Sequence, residues 1–101
     1  MTRKAIAFQS EKLTLEGIVT VPDGNLEAVP MVVVCHPHPL LMGDMEFSLG
    51  LRICTALEEQ GLATMRFNVR GVGGSQGTFT NGLQELTDIE SALKVASNWP
   101  G

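Results

Sequence analysis

The sequence predicts a single domain of the α/β class, and three features carry that prediction. An alternating strand pattern lies near the N-terminus, two buried strand patterns flank one amphipathic helix, and a second helical pattern follows a glycine-rich loop. Residues 13 to 21, LTLEGIVTV, alternate as a half-buried strand does. Ala5 to Phe8, across the polar link Gln9-Ser10-Glu11-Lys12, is placed to pair with it in an antiparallel hairpin. A turn-rich stretch from Pro22 to Pro30 leads into Met31-Val32-Val33-Val34-Cys35, an apolar run without alternation. That pattern belongs to a strand covered on both faces, in the middle of a sheet.

After a loop containing Pro37, Pro39 and Gly43, residues 45 to 60 put Phe47, Leu51, Cys54 and Leu57 on one helical stripe, with Leu49, Ile53 and Ala56 beside it. Asp44 is the expected N-cap and Gly61 the expected left-handed stop. Leu62 to Phe67 reads as a second buried strand, so strand, helix and strand form a right-handed βαβ unit with parallel pairing. Asn68 to Gly82 is the glycine-rich loop. Beyond it Leu86, Ile89, Leu93 and Ala96 share one helix face, with Asn81 and Gln84 spaced as a capping box and Trp99-Pro100-Gly101 closing the helix.

Composition narrows the function classes. With 44% hydrophobic and 18% charged residues in 101, the chain is not a disordered acidic tail, and its length supports one domain. Its longest uninterrupted apolar run, Met31 to Cys35, is too short to cross a bilayer, so no membrane partner is expected. Seven Lys and Arg against eleven Asp and Glu leave a net charge of -4. No basic stripe is available for counterion release, and nucleic acid is not an expected partner. Arg3 and Lys4 precede too short an apolar stretch for a signal peptide. Cys35 and Cys54 lie in apolar segments and are expected as two buried, reduced thiols, which together with the missing leader points to the cytoplasm.

Two segments could carry chemistry. Gly73-Gly74-Ser75-Gln76-Gly77 matches the GxSxG string of a nucleophile elbow, in which a strand runs into the motif and a helix starts on its serine. Here the strand ends at Phe67, well before Gly73, and Thr78-Phe79-Thr80 follows the motif. Ser75 is therefore expected to be a decoy in a loop whose glycines serve positive φ, and no catalytic residue is assigned. The third glycine of a GxGxxG reading would fall on Gln76, and no GK[ST] is present, so no nucleotide cofactor is expected.

The second segment, His36-Pro37-His38-Pro39-Leu40, lies at the C-terminal end of a buried strand, where open α/β sheets bind ligands. Its prolines remove two amides, so donors aimed at an oxyanion from this turn must come from His38, Leu40 or Leu41. His36 and His38 with Asp44 fall short of a recognisable metal set, and no metal is expected. A hydrogen bond within its own loop is the simpler role for His36. Glu85, Asp88 and Glu90 are accounted for by the dipole at the last helix's N-terminus. Arg66 and Arg70 flank a strand end and either hold a carboxylate or fix the glycine loop, the second being the commoner role of an Arg-Gly turn.

The strings VVVVCHPHPLLMGDM and ATMRFNVRGVGGSQGTFTNGLQEL, in that order with a helix between them, resemble the N-terminal half of a family of small bacterial α/β-hydrolases that carry an HPHPL loop and an RFN-RGVG-S-G segment. The resemblance covers about Leu15 to Trp99. It implies a partial α/β-hydrolase fold: an N-terminal antiparallel hairpin, then parallel βαβ with flanking helices. Residues 31 to 36 would be the family's third strand, 45 to 60 its first flanking helix and Leu62 to Asn68 its fourth strand. The loop at His36, His38, Leu40 and Leu41 would supply half of an oxyanion hole. Leu41-Met42-Gly43 stands where members often have an aromatic and two glycines.

In that family the nucleophile elbow follows the fifth strand, with the acid and histidine of the triad later still. Residues 1 to 101 are accordingly expected to be the N-terminal portion of a serine hydrolase domain acting on ester or acyl substrates, inactive alone. Because the family's fifth strand pairs with Met31 to Cys35, that edge is expected to lie open. The alternative is a non-catalytic α/β module that pairs this open edge with a partner or a second copy.

Overall fold

The computed structural model describes residues 1–23, 29–36 and 43–99. Four strands and two helices follow one another as β1 (Thr2–Ser10), β2 (Leu13–Val21), β3 (Met31–Val34), α1 (Ser48–Glu59), β4 (Ala63–Phe67) and α2 (Glu85–Ser97). The strands make one sheet in the order β1-β2-β4-β3. β1 and β2 form the antiparallel hairpin, β2 runs antiparallel to β4, and β3 runs parallel to β4 with Val33 beside Met65. This mixed sheet, with a helix crossing over between its parallel strands, is the α/β class that the residue pattern predicts.

Alternation along the strands sorts the two faces. Leu15 and Val19 of β2 and Met65 and Phe67 of β4 are buried together with Phe8, and α2 covers them through Ala92, Ile89, Val95 and Ala96. Phe8 and Phe67 meet edge to face with ring centroids 5.8 Å apart. Thr20, Thr64 and Arg66 point to the other face. There Thr64 Oγ1 donates to Glu58 of α1 at 2.7 Å, and Cys54 is buried.

α1 ends as its sequence requires. Gly61 takes φ +84°, Leu62 N–H donates to the Leu57 carbonyl and Gly61 N–H to that of Glu58. That pair of bonds is the Schellman closure.

Several sequence expectations are corrected. β1 is longer than Ala5 to Phe8, because backbone pairing with β2 continues through exposed residues that no hydrophobic pattern marks. The run from Met31 is half-buried at the edge of the sheet among the described residues, which departs from the mid-sheet place its pattern suggested and agrees with the open edge the resemblance implied, and β4 is the strand buried throughout. A run of β-branched residues thus marked membership of the sheet without fixing the position in it. Cys35, just past β3, is exposed; Cys54 is buried.

Asp44 does not cap α1, whose N-cap position is Phe47. Its Oδ1 and carbonyl accept from the Glu46 and Phe47 amides and close a turn upstream. Leu49 and Ile53 face outward, and so do Leu86 and Leu93 of α2. The buried side of α2 is instead Glu85, Asp88 and Ala92. Asn81 and Gln84 do not form the capping box. Glu85 accepts from the Thr80 and Gly82 amides and from the Thr80 hydroxyl, while Thr80 Oγ1 accepts from Gln84 N–H.

Two buried carboxylates on a helix face need partners, and Asp88 has four hydrogen-bond donors around it. Its oxygens accept from Ser10 Oγ at 2.6 Å, the Arg70 amide at 2.9 Å, and Nε and Nη2 of the Arg70 guanidinium. Arg70 also reaches Glu11 at 2.8 Å and Gln84 at 2.8 Å. Arg70 therefore holds a carboxylate, and the helix dipole is a lesser reason for Asp88. Among the described residues no buried side-chain nitrogen or oxygen lacks a partner.

Burial pushes the Asp88 carboxyl up, but the hydrogen bonds from Arg70 and Ser10 outweigh it and hold the group below its ordinary 3.8. A folded value below the unfolded one stabilises fully above about pH 4 and is lost as pH falls through the folded value. Denaturant midpoints are expected to be flat from pH 7 to 5 and to drop steeply below about pH 4. Asp88→Asn is expected to cost about 3 to 5 kcal/mol at pH 7, by leaving Arg70 partly unpaired, and to flatten that acid limb.

Candidate functional site

The ends of β3 and β4 meet the middle of β2 at the C-terminal edge of the parallel pair. Val34 is level with Arg66 in the parallel register and Gly17 is level with Phe67 in the antiparallel one. Just beyond, His36 after β3 meets Val69 after β4, and Asn68 meets Glu16 of β2. In an open α/β sheet this is the edge where ligands bind.

Short polar contacts join these residues. His36 Nε2 accepts from the Val69 amide at 3.3 Å, which ties it to the loop after β4. The Asn68 amide donates to the Glu16 carbonyl at 3.0 Å. Asn68 Nδ2 donates to the Glu16 carboxylate at 2.7 Å, and the same carboxylate accepts from the Gly74 amide. On its other side, Asn68 Oδ1 accepts from the Met45 amide at 2.7 Å. The Met45 carbonyl accepts from Arg66 Nη1 at 2.9 Å, and the same Arg66 nitrogen pairs with Glu46 at 3.0 Å.

Ser75 sits inside this assembly. Its hydroxyl donates to the Asn68 carbonyl at 2.6 Å and accepts from the Glu16 amide at 2.9 Å, and the residue is 8% exposed. Gln76 completes the attachment to β2, donating its amide to the Thr14 carbonyl and accepting from the Thr14 amide through Oε1. The glycines of the string serve the same packing. Gly73 has φ +54°, and a Cβ there would lie 2.5 Å from Asn68 Nδ2 and 2.6 Å from Glu16 Oε2.

Of the residues proposed from sequence for an oxyanion loop, His36 is placed at the strand ends. His38, Leu40 and Leu41 lie outside the described residues, as do Pro37 and Pro39. No group of three or more His, Cys, Asp or Glu suited to a metal occurs among the described residues. None of the described helices is long and apolar enough to cross a membrane. Glu16 escaped the sequence reading. The available signal was an acidic residue one position before a strand glycine, which alternation alone presents as an ordinary solvent-facing residue.

No protein-family model matches the chain. An uncharacterised protein of Rickettsia prowazekii is 38% identical over 81 residues, covering 71% of this chain and 34% of that protein. Among solved structures, an α/β serine hydrolase homologue from Coxiella burnetii superposes with a TM-score of 0.80 at 40% identity, over 93% of this chain and 45% of its own. A protein of unknown function from Agrobacterium tumefaciens, described as an α/β hydrolase, gives 0.82 at 32% identity, over 90% of this chain and 41% of its own. A lidless α/β serine hydrolase from Xanthomonas campestris gives 0.81 at 29%, over 93% and 44%. The chain thus spans less than half the length of each of these relatives. By fold and by sequence, it is related to the α/β-hydrolase superfamily.

Proposed function

We propose that residues 1 to 101 are the N-terminal portion of a serine hydrolase domain acting on small ester or acyl substrates. The segment from His36 to Leu41 contributes one half of its oxyanion hole. The observation that carries this reading is the place of His36, at the C-terminal edge of the β3–β4 pair, in a chain whose fold matches serine hydrolases of about twice its length. A backbone amide held there would stabilise the charge that builds on an acyl oxygen during attack. The nucleophile, acid and histidine belong to residues beyond this sequence, on the family's fifth strand and after it.

Ser75 is not that nucleophile. A serine acts when an imidazole takes its proton, and the Ser75 proton is already given to a backbone carbonyl in a position 8% exposed. Its part is to seat the glycine loop against β2.

A second reading is favoured by the open side of β3, which pairs with β4 alone among the described strands. In it the chain is a non-catalytic module whose β3 edge pairs with a partner or a second copy.

Sequencing the gene past the Gly101 codon separates the two readings: a frame continuing into a strand and a GxSxG elbow is expected, and an immediate stop overturns the hydrolase assignment. Light scattering on the isolated 101 residues is expected to show no folded homodimer, whereas one would favour the strand-pairing module. Assayed with a short aryl ester, the isolated chain is expected to give the same background rate as Ser75→Ala. Turnover abolished by that substitution would make Ser75 the nucleophile. Independently of turnover, Ser75→Ala is expected to lower stability by about 1 to 3 kcal/mol in a urea titration, because it strands the Asn68 carbonyl and the Glu16 amide.

A further inference from the structure

We infer that Asn68, oriented by Glu16, is a positioning residue that anchors the downstream end of the loop after β3, and that Arg66 and Val69 complete the anchorage. The inference deepens the oxyanion-loop reading above and rests on it for its catalytic meaning.

The segment from 37 to 42 has two described ends, His36 and Gly43 to Met45. Both are tied to Arg66, Asn68 and Val69, at and just past the end of β4. Upstream, His36 Nε2 takes the Val69 amide. Downstream, both backbone groups of Met45 are held by side chains: its amide by Asn68 Oδ1 at 2.7 Å and its carbonyl by Arg66 Nη1 at 2.9 Å. The amide and carbonyl of one residue lie in the two peptide planes that flank its Cα, so holding both restrains φ and ψ at Met45. Arg66 and Asn68 are 7% and 4% exposed, so both anchors are buried.

Asn68 could present either face of its amide to Met45, and Glu16 decides which. A carboxylate accepts only, so it selects Nδ2 and turns Oδ1 towards the Met45 amide. Glu16 is itself oriented by the Gly74 amide. The polar chain Gly74–Glu16–Asn68–Met45 therefore runs from the glycine loop to the far end of the β3 loop, with every donor matched to an acceptor. Oxyanion donors act only when set in advance, and a displacement of about 1 Å costs on the order of a hundredfold in rate. A side chain that fixes the loop's end without touching substrate is suited to that requirement.

Nitrogen-15 NMR of the protein, with amide hydrogen exchange, tests the assignment. Asn68→Ala is expected to move the Met45 amide resonance upfield and to speed its exchange roughly tenfold, with amides of Ala63–Phe67 changed less than about twofold. Asn68→Asp alone sets two carboxylates together and is expected to fail likewise. Asn68→Asp combined with Glu16→Gln reverses the polarity of one bond. The side-chain amide introduced at position 16 can donate to the carboxylate introduced at position 68, and that carboxylate still accepts from the Met45 amide. Wild-type resonance position and protection are expected to return.

An unchanged Met45 amide in Asn68→Ala overturns the anchorage, and so does equal loss of protection across β4 or a folded double variant that restores nothing. The hydrolase reading fails separately. A local Met45 effect with rescue, in a protein whose gene encodes no nucleophile elbow, would leave the anchorage standing and remove its catalytic purpose.

Discussion

The buried carboxylate of Asp88 is the constraint from which the rest of the arrangement follows. It lies at 0% exposure on the face of α2 that packs on the sheet, where an unpaired charge is untenable. Its partners come from two places far apart in sequence. Ser10 ends β1, and Arg70 in the glycine loop binds it by both amide and guanidinium while also pairing with Glu11, next to Ser10 at the hairpin tip. Once these are drawn together, the chain leaving β4 must turn back over the tip of the β1–β2 hairpin before it enters α2.

That return path explains why the glycine-rich segment is built as it is. Residues 73 to 77 lie against the start of β2, where Ser75 and Gln76 bond to Thr14 and Glu16. The approach is close enough that a Cβ at Gly73 would overlap Asn68 and Glu16. The GxSxG spacing arises here from the need for close backbone approach on either side of a hydroxyl that bridges two backbone groups. A serine elbow uses the same letters for another purpose, presenting the hydroxyl to solvent and substrate. The string is the same and the burial is opposite.

The polar face between α1 and the sheet follows a different rule from the apolar face beneath α2. Arg66 and Thr64 of the most buried strand point towards α1, where they meet Met45, Glu46 and Glu58. Such a strand is apolar by backbone position and polar by side chain on one face. Arg66 holds Met45 and Glu46 just ahead of α1, and Thr64 holds Glu58 within it, so each polar side chain on this face has its partner.

The class of the fold, the hairpin, the parallel pair around a helix and the Gly61 stop were all legible from the residues, because each depends on local periodicity or on the conformation of one glycine. The resemblance carried by HPHPL and RFN-RGVG was legible too. The order of the strands was not: Met31 to Val34 and Ala63 to Phe67 look alike as apolar runs, and only pairing with β2 makes the second one central. Nor could helical spacing show that α2 turns Asp88 inward and Leu93 outward. That choice depends on Arg70 and Ser10 waiting on the sheet, at sequence separations of 18 and 78 residues. Glu16 and Asn68 likewise meet only because the antiparallel register of β2 and β4 sets Gly17 level with Phe67, and Met45 joins them through Asn68 Oδ1. Hydrophobic pattern is a property of neighbours along the chain, whereas the matching of a buried charge with its donors is a property of the assembled fold.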